Sequence, residues 1–254
     1  MFDVSEAAYD KFMGRYSVRL APVFADFAGI EAGQRVLDVG AGTGALAAEL
    51  ARRDADVAAA EPAPTFVAAL RARLPSVDVR QAGAEDLPWP EASFDAALAQ
   101  LVVTFMSDAP AGVAEMRRVV RPGGVVAVCM WDRDGMEMLG AVSRTQRTLD
   151  PSQPTPEQRT LYRSRETLKG LVGEGAQTQL LEVESQYAGF DELWSTVIDG
   201  AGPTGVWAKS LADEQRAAAR EEMYRQVGSP TAAFTLTGRA WAVRTTVAGV
   251  LTVS

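Results

Sequence analysis

A short apolar stretch, Arg35 to Val39, breaks into Gly40-Ala-Gly-Thr-Gly44 and then into Ala45 to Arg53, rich in Ala and Leu. That order reads as a strand, a tight glycine turn and a helix, because glycine takes backbone conformations that other residues disfavour. A strand this apolar needs cover on both faces, so further strands and helices have to follow. They do. Asp56 to Ala60, Val77 to Arg80, Phe94 to Ala99 and Val125 to Met130 read as strands. Pro64 to about Leu74 reads as a helix with proline in its first turn. Ala109 to Val120 reads as another, stopped by Arg121-Pro-Gly-Gly124. Ahead of them, Val18, Leu20, Val23, Phe24 and Phe27 recur at helical spacing from Tyr16 to Phe27. Apolar strands alternating with helices predict an α/β fold with a mostly parallel sheet.

The pattern is strong to about residue 131 and looser beyond. Helices are predicted over Met136 to Leu149, Arg165 to Val172, Asp191 to Ile198 and Ala212 to Val227, with a Pro-rich joint over Asp150 to Pro156. Thr178 to Tyr187 and Phe234 to Val247 read as the remaining strands. The 254 residues carry 25 basic and 33 acidic side chains, a net charge of −8, which disfavours a nucleic-acid partner. Cys129 is the one cysteine and there is no histidine, so imidazole-dependent triads, most zinc chemistry and an internal disulfide are excluded. No metal site is expected. No apolar run approaches the roughly 18 residues of a membrane span, and the opening Met-Phe-Asp-Val-Ser-Glu lacks the pattern of a secretory leader. The expectation is a cytoplasmic protein with no membrane insertion.

The glycine turn points to a nucleotide-like ligand at the carboxyl ends of the strands. Gly40, Gly42 and Ala45 satisfy a degenerate dinucleotide fingerprint, with Glu61 at a suitable distance to take ribose hydroxyls. Asp38 argues the other way. Strand alternation turns residues 38 and 40 to the same side, which sets a carboxylate toward the turn. Beside a pyrophosphate this is like-charge repulsion; beside an ammonium and a sulfonium it is attraction. The charge pattern favours S-adenosylmethionine over NAD.

Val36-Leu-Asp-Val-Gly-Ala-Gly-Thr-Gly-Ala-Leu-Ala47 resembles the first motif of the class I S-adenosylmethionine-dependent methyltransferases. Glu61-Pro-Ala-Pro-Thr-Phe66 is similar to the family's second-strand motif. Ala82-Gly-Ala-Glu-Asp-Leu-Pro-Trp89 with Ser93-Phe-Asp95, and Arg117-Arg-Val-Val-Arg-Pro-Gly-Gly124, resemble motifs of the ubiquinone/menaquinone-methyltransferase-like small-molecule branch. Tyr9-Asp-Lys-Phe-Met-Gly-Arg-Tyr16 looks like an N-terminal segment that closes over the cofactor in one subgroup. The resemblance implies a Rossmann-like class I fold with an antiparallel last strand and helical cap elements in the C-terminal half. It implies S-adenosylmethionine as cofactor, S-adenosylhomocysteine as product and methyl transfer by in-line displacement to a small, apolar or amphipathic acceptor. The cofactor residues it implies are Arg15, Asp38, Gly40, Ala41, Gly42, Gly44, Glu61, Pro62, Phe66, Ala84, Glu85, Gln100 and Leu101. A single domain over 1–254 is expected. Within it, 1–30 form N-terminal lid helices and 31–131 the cofactor core; 132–164 and 190–230 are helical caps, and 165–189 and 231–254 complete the sheet.

Three departures stand out. Gly83 takes the place where many relatives carry the Asp that receives the adenine amino group, so that contact falls to Glu85, to backbone at Ala84 or to water. Phe66 replaces a common Met, and Thr104 stands where relatives often have His, so no catalytic base is assigned. Several residues also have plainer readings: a solvated Arg15, a Gln100 capping a strand end, and a Trp131 packed in the core where the fifth strand ends with Asp132. Trp194, Trp207, Tyr224 and Trp241 line an acceptor chamber or simply pack helices on sheet, and Cys129 reads as an inert core thiol. The competing functions are a non-catalytic S-adenosylmethionine binder, a cyclase on the same fold and an NAD(P)-dependent oxidoreductase.

Overall fold

The computed structural model describes residues 10–152, 161–173, 175–200 and 202–248. The seven strands are β1 (Arg35–Val39), β2 (Asp56–Ala60), β3 (Asp78–Arg80), β4 (Phe94–Gln100), β5 (Val120–Met136), β6 (Gln177–Tyr187) and β7 (Phe234–Thr246). They form one sheet in the order β3-β2-β1-β4-β5-β7-β6. β1 pairs in parallel with β2 and β4, β2 with β3, and β4 with β5, whereas the last strand runs antiparallel. Strand order therefore reverses between β1 and β4, and their carboxyl ends flank the crevice where such sheets bind ligands.

The chain separates into two compact units, 1–16 with 132–160 and 182–239, and 17–131 with 161–181 and 240–254. The second carries β1 to β4. Its side chains divide by the two-residue period of a strand. Leu37, Val39, Ala58, Ala60, Ala97, Ala99, Val126 and Val128 face one core. Against them pack Val113, Met116 and Val119 of the helix Ala109–Val119, and Leu168 and Val172 of the helix Arg165–Val172. Asp38, Leu98 and Gln100 alternate onto the other face. In the helix Arg15–Ala28, Tyr16, Leu20 and Phe24 are fully buried, which fits its amphipathic spacing.

In the first unit Ala219 and Met223 of the helix Asp213–Gln226 are buried, and this helix packs on the helix Glu137–Leu149. Phe190–Ile198 packs on Gly202–Ser210. That last helix is absent from the sequence reading. Two glycines and a proline give it low intrinsic propensity, and Thr204 and Ala208 are buried, so packing rather than propensity sets it. The Pro-rich joint from Gln153, the opening of the lid segment through Tyr9 and the last residues from Gly249 lie outside the described residues.

β5 departs most from expectation. It starts at Val120, directly after the helix, and continues past Trp131 and Asp132 to Met136. Phe94 pairs with Val120 but Ala96 pairs with Val125, so three extra residues bulge out on the β5 side. The bulge depends on a missing side chain. A Cβ on Gly124 would lie 2.4 Å from the Asp95 carbonyl oxygen, whereas one on Gly123, at φ +82°, meets nothing within 4 Å. Asp95 completes this end of the sheet, accepting the Arg35 N–H at 2.7 Å and the Arg121 guanidinium at 2.5 Å. We expect Gly124→Ala, which collides with backbone, to cost about 3 kcal/mol. Gly123→Ala, which meets only left-handed strain, should cost about 1 kcal/mol. Urea unfolding of both variants gives the ranking, and the reverse order would remove the bulge account.

Candidate functional site

The site is built where β1, β2 and β4 end. Beyond Val39 the turn folds back on β2, with the Gly40 and Ala41 N–H groups donating to the Ala60 carbonyl at 2.8 and 3.1 Å. The Gly44 N–H donates to the Ala41 carbonyl, and Gly44 caps the helix Ala45–Arg52 in a left-handed conformation. A Cβ on Gly40 would lie 2.3 Å from Val102, and one on Gly44 2.4 Å from Leu70, so packing alone demands glycine at both. At Gly42 a Cβ would meet nothing within 4 Å. Gly42 is thus the position where the turn opens outward.

Glu61 closes the turn from the end of β2. One carboxylate oxygen accepts the Gly42 N–H at 2.9 Å and the other accepts the Ala63 N–H at 2.9 Å. The side chain is buried, and desolvation raises its pKa while these two bonds lower it. Each oxygen retains a lone pair, so the carboxylate can still accept from a vicinal diol. Pro62 is exposed and Phe66 half-buried beside it in the helix Pro64–Arg73.

Asp38 sits in an unfavourable environment for a carboxylate. It is 1% exposed, and neither carboxylate oxygen makes a hydrogen bond of ordinary geometry. Burial pushes its pKa up to about 7; the Ala47 N–H, in the first turn of the following helix, pulls it down and the Glu61 charge adds a further rise. On β4, the Gln100 amide donates to the Ser17 carbonyl at 3.1 Å, which leaves its Oε1 buried without a partner. Asp38 pairs with Leu98 in register, so Asp38 and Gln100 project from the same sheet face. Three orphaned acceptor atoms therefore sit at the ends of β1 and β4. Leu101 follows at φ +62°, a left-handed strain that a leucine carries only where its surroundings impose it. Its N–H is fixed by the Cys129 carbonyl at 2.9 Å.

The departure at Gly83 has a structural answer. Glu85 Oε2 stands 3.0 Å from where a Cβ on residue 83 would be, so the carboxylate of residue 85 fills the space a side chain at 83 would take. Its other oxygen accepts the Asp108 N–H at 3.1 Å. Ala84 is buried beside it.

Other predicted residues go elsewhere. The Arg15 guanidinium contacts Glu192 at 2.9 Å and the Gln186 carbonyl at 2.6 Å, and lies 4.0 Å from the Tyr187 ring centre. Thr104 contacts the Met130 sulfur at 3.8 Å. Cys129 is fully buried and its thiol pKa is pushed up by desolvation, in keeping with an inert core thiol. Trp241 packs against the sheet core, whereas Trp194 and Tyr224 each pack on Phe190. Among the described residues no cluster of three or more potential metal ligands occurs, and no helix is long and apolar enough to cross a membrane. The sequence missed the Ser17 carbonyl, the strain at Leu101 and the Val102 contact, all of which depend on tertiary register.

Residues 37–128 match the methyltransferase domain family. An uncharacterized protein of Mycobacterium tuberculosis is 32% identical over 161 residues, 61% of this chain and 58% of that protein. A demethylmenaquinone methyltransferase of Beutenbergia cavernae is 39% identical over 103 residues, 41% of this chain and 43% of the enzyme. The chain thus spans roughly half the length of these curated relatives. The solved structure of a putative type II methyltransferase from Anaeromyxobacter dehalogenans aligns with a TM-score of 0.65 at 22% identity, covering 91% of this chain and 96% of that one. At that identity the likeness is one of fold, and the fold is the Rossmann-like class I methyltransferase fold.

The buried acid of this domain predicts a pH signature. The ordinary carboxyl pKa is about 3.9, so between about pH 4 and 7 the folded state holds a proton on Asp38 that the unfolded state has lost. Stability therefore falls as pH rises through that window, by about 3 kcal/mol between pH 5 and 8. Urea unfolding across that range should show the decline and its flattening in Asp38→Asn. An equal slope in both proteins would place the titration elsewhere.

Proposed function

We propose that this chain transfers the methyl group of S-adenosylmethionine to a small, apolar or amphipathic molecule, giving S-adenosylhomocysteine. The observation that carries the reading is the set of orphaned buried acceptors, Asp38 Oδ1, Asp38 Oδ2 and Gln100 Oε1, at the switch point of the sheet. A ligand that suits them brings N–H donors and positive charge, as an amino-acid ammonium beside a sulfonium does. A pyrophosphate has the opposite needs, and the Gly40, Ala41, Gly42 and Gly44 N–H groups are already spent on protein acceptors. That disfavours NAD(P) and the oxidoreductase reading.

The residues present fit the cofactor. Asp38 and Gln100 would hold its amino-acid end, Glu61 the ribose hydroxyls, and Phe66, Ala84 and Glu85 the adenine. When bound, the cofactor supplies a methyl group already activated by the sulfonium charge. The chain's task is then to orient donor and acceptor and to exclude water. No side chain is assigned as a base. Cys129 is buried with a raised pKa, and the chain has no histidine, so an acceptor that is reactive without strong deprotonation suits this site. Support for an apolar acceptor comes from the partial likeness to a demethylmenaquinone methyltransferase. A cytoplasmic location belongs to the same proposal.

Calorimetric titration of ligand-stripped protein tests it. S-adenosylmethionine and S-adenosylhomocysteine should bind at micromolar concentration, and NAD should not. Glu61→Ala should weaken both by about ten- to a hundredfold, the worth of one or two hydrogen bonds to a charged group. Binding of NAD in their place would replace this reading with the oxidoreductase one.

A further inference from the structure

The end of the sheet buries two carboxylates and offers them no cation. Among the described residues neither Asp38 nor Glu61 takes part in an ion pair. The groups facing Asp38 are the Glu61 carboxylate from β2, the Gln100 amide from β4, the Cys129 thiol from β5 and the Ala47 N–H from the helix after the turn. None is positively charged. Two adjacent buried anions without a counterion are costly, and the cheapest relief is for one to hold a proton.

Geometry decides which. Glu61 receives backbone N–H donors at 2.9 Å on both of its oxygens, an arrangement that favours the ionised form. Asp38 has no hydrogen bond of ordinary geometry on either oxygen and is 1% exposed. Gln100 Oε1, orphaned on the same face, is an acceptor and leaves a carboxylate there no better satisfied. The proton therefore belongs to Asp38.

Resting on the reading of this crevice as the S-adenosylmethionine site, we propose that the ligand-free protein carries a proton on Asp38 and that an ammonium-bearing ligand displaces it. Cofactor capture is then coupled to the release of one proton. The O–H bond of the Asp38 carboxyl breaks, its proton passes to buffer, and the carboxylate accepts an N–H from the incoming ammonium. The charge of the crevice stays constant: a proton leaves as a cationic group arrives. An adenosine without an amino-acid end engages Glu61 and the adenine wall and leaves Asp38 protonated.

Titration calorimetry at pH 6 in two buffers of different ionisation enthalpy counts the protons. At that pH the ligand's own α-amino group is fully charged and contributes none. S-adenosylmethionine and S-adenosylhomocysteine should each release about 0.9 proton, falling to near 0.5 at pH 7, with affinity about fivefold weaker at pH 6 than at pH 7. 5′-Methylthioadenosine, which has neither ammonium nor sulfonium, should bind with no release. In Asp38→Asn the release by the two charged ligands should vanish, while 5′-methylthioadenosine binds as before. The wild-type proton count stands without the variant, should that fail to fold. Binding of S-adenosylmethionine with release below about 0.2 proton at pH 6 overturns the coupling and leaves the functional reading intact. Absence of binding by all three ligands at either pH overturns both.

Discussion

Everything at the functional end of this protein depends on a carboxylate that the sheet buries and does not neutralise. Asp38 lies on a central strand, paired to β2 through Ala59 and to β4 through Leu98, so its side chain cannot move to the other sheet face without breaking the register of both neighbours. A backbone position so constrained holds its side chain in an environment that costs free energy. The rest of the unit offsets that cost with ordinary burial. Leu37, Val39, Leu98, Val126 and Val128 on the two faces of the same sheet are each fully buried, and each such side chain contributes about 1.5–3 kcal/mol when buried. The fold is stable enough to carry one unfavourable group at the place where its chemistry is needed.

The glycine turn gains a different meaning in this light. In phosphate-binding turns the backbone N–H groups point outward to the ligand. Here Gly40 and Ala41 donate to the Ala60 carbonyl and Gly42 donates to Glu61. The N–H donors of Gly40, Ala41, Gly42 and Gly44 are therefore spent internally. Only the donor at Gly42 is shared with a side chain that itself faces the ligand crevice, so Glu61 is at once a clasp for the turn and a candidate ligand contact. Loss of that carboxylate accordingly acts on the shape of the turn as well as on binding.

How far the sequence carried depended on the kind of feature. Strand β1, the turn and the helix after it were legible because an apolar run, three glycines and an Ala-Leu segment each have a local physical meaning. The same holds for Asp38, whose side follows from alternation alone. Local signals failed where tertiary contact decides. β5 reads as running from Val125 to Met130 and ending with Trp131 and Asp132, where its apolar run stops, yet the strand continues to Met136. The helix Gly202–Ser210 has the composition of a loop and is set by the burial of Thr204 and Ala208. At Gly83 the missing carboxylate was visible in the sequence, but that Glu85 fills its place was not, because it takes the fold to bring residue 85 over residue 83.

Strain at the two sides of the crevice is of one kind. Leu101 is held left-handed at the end of β4, and Asp38 is held without a hydrogen bond of ordinary geometry near the end of β1. Neither feature helps the protein fold, and both lie at the reversal of strand order. Preorganisation explains the pairing: groups fixed in position before the ligand arrives need not reorganise when it does, so less of the binding free energy is lost to ordering. A cationic ligand relieves the orphaned acceptors, and its binding free energy is added to the stability of the folded state.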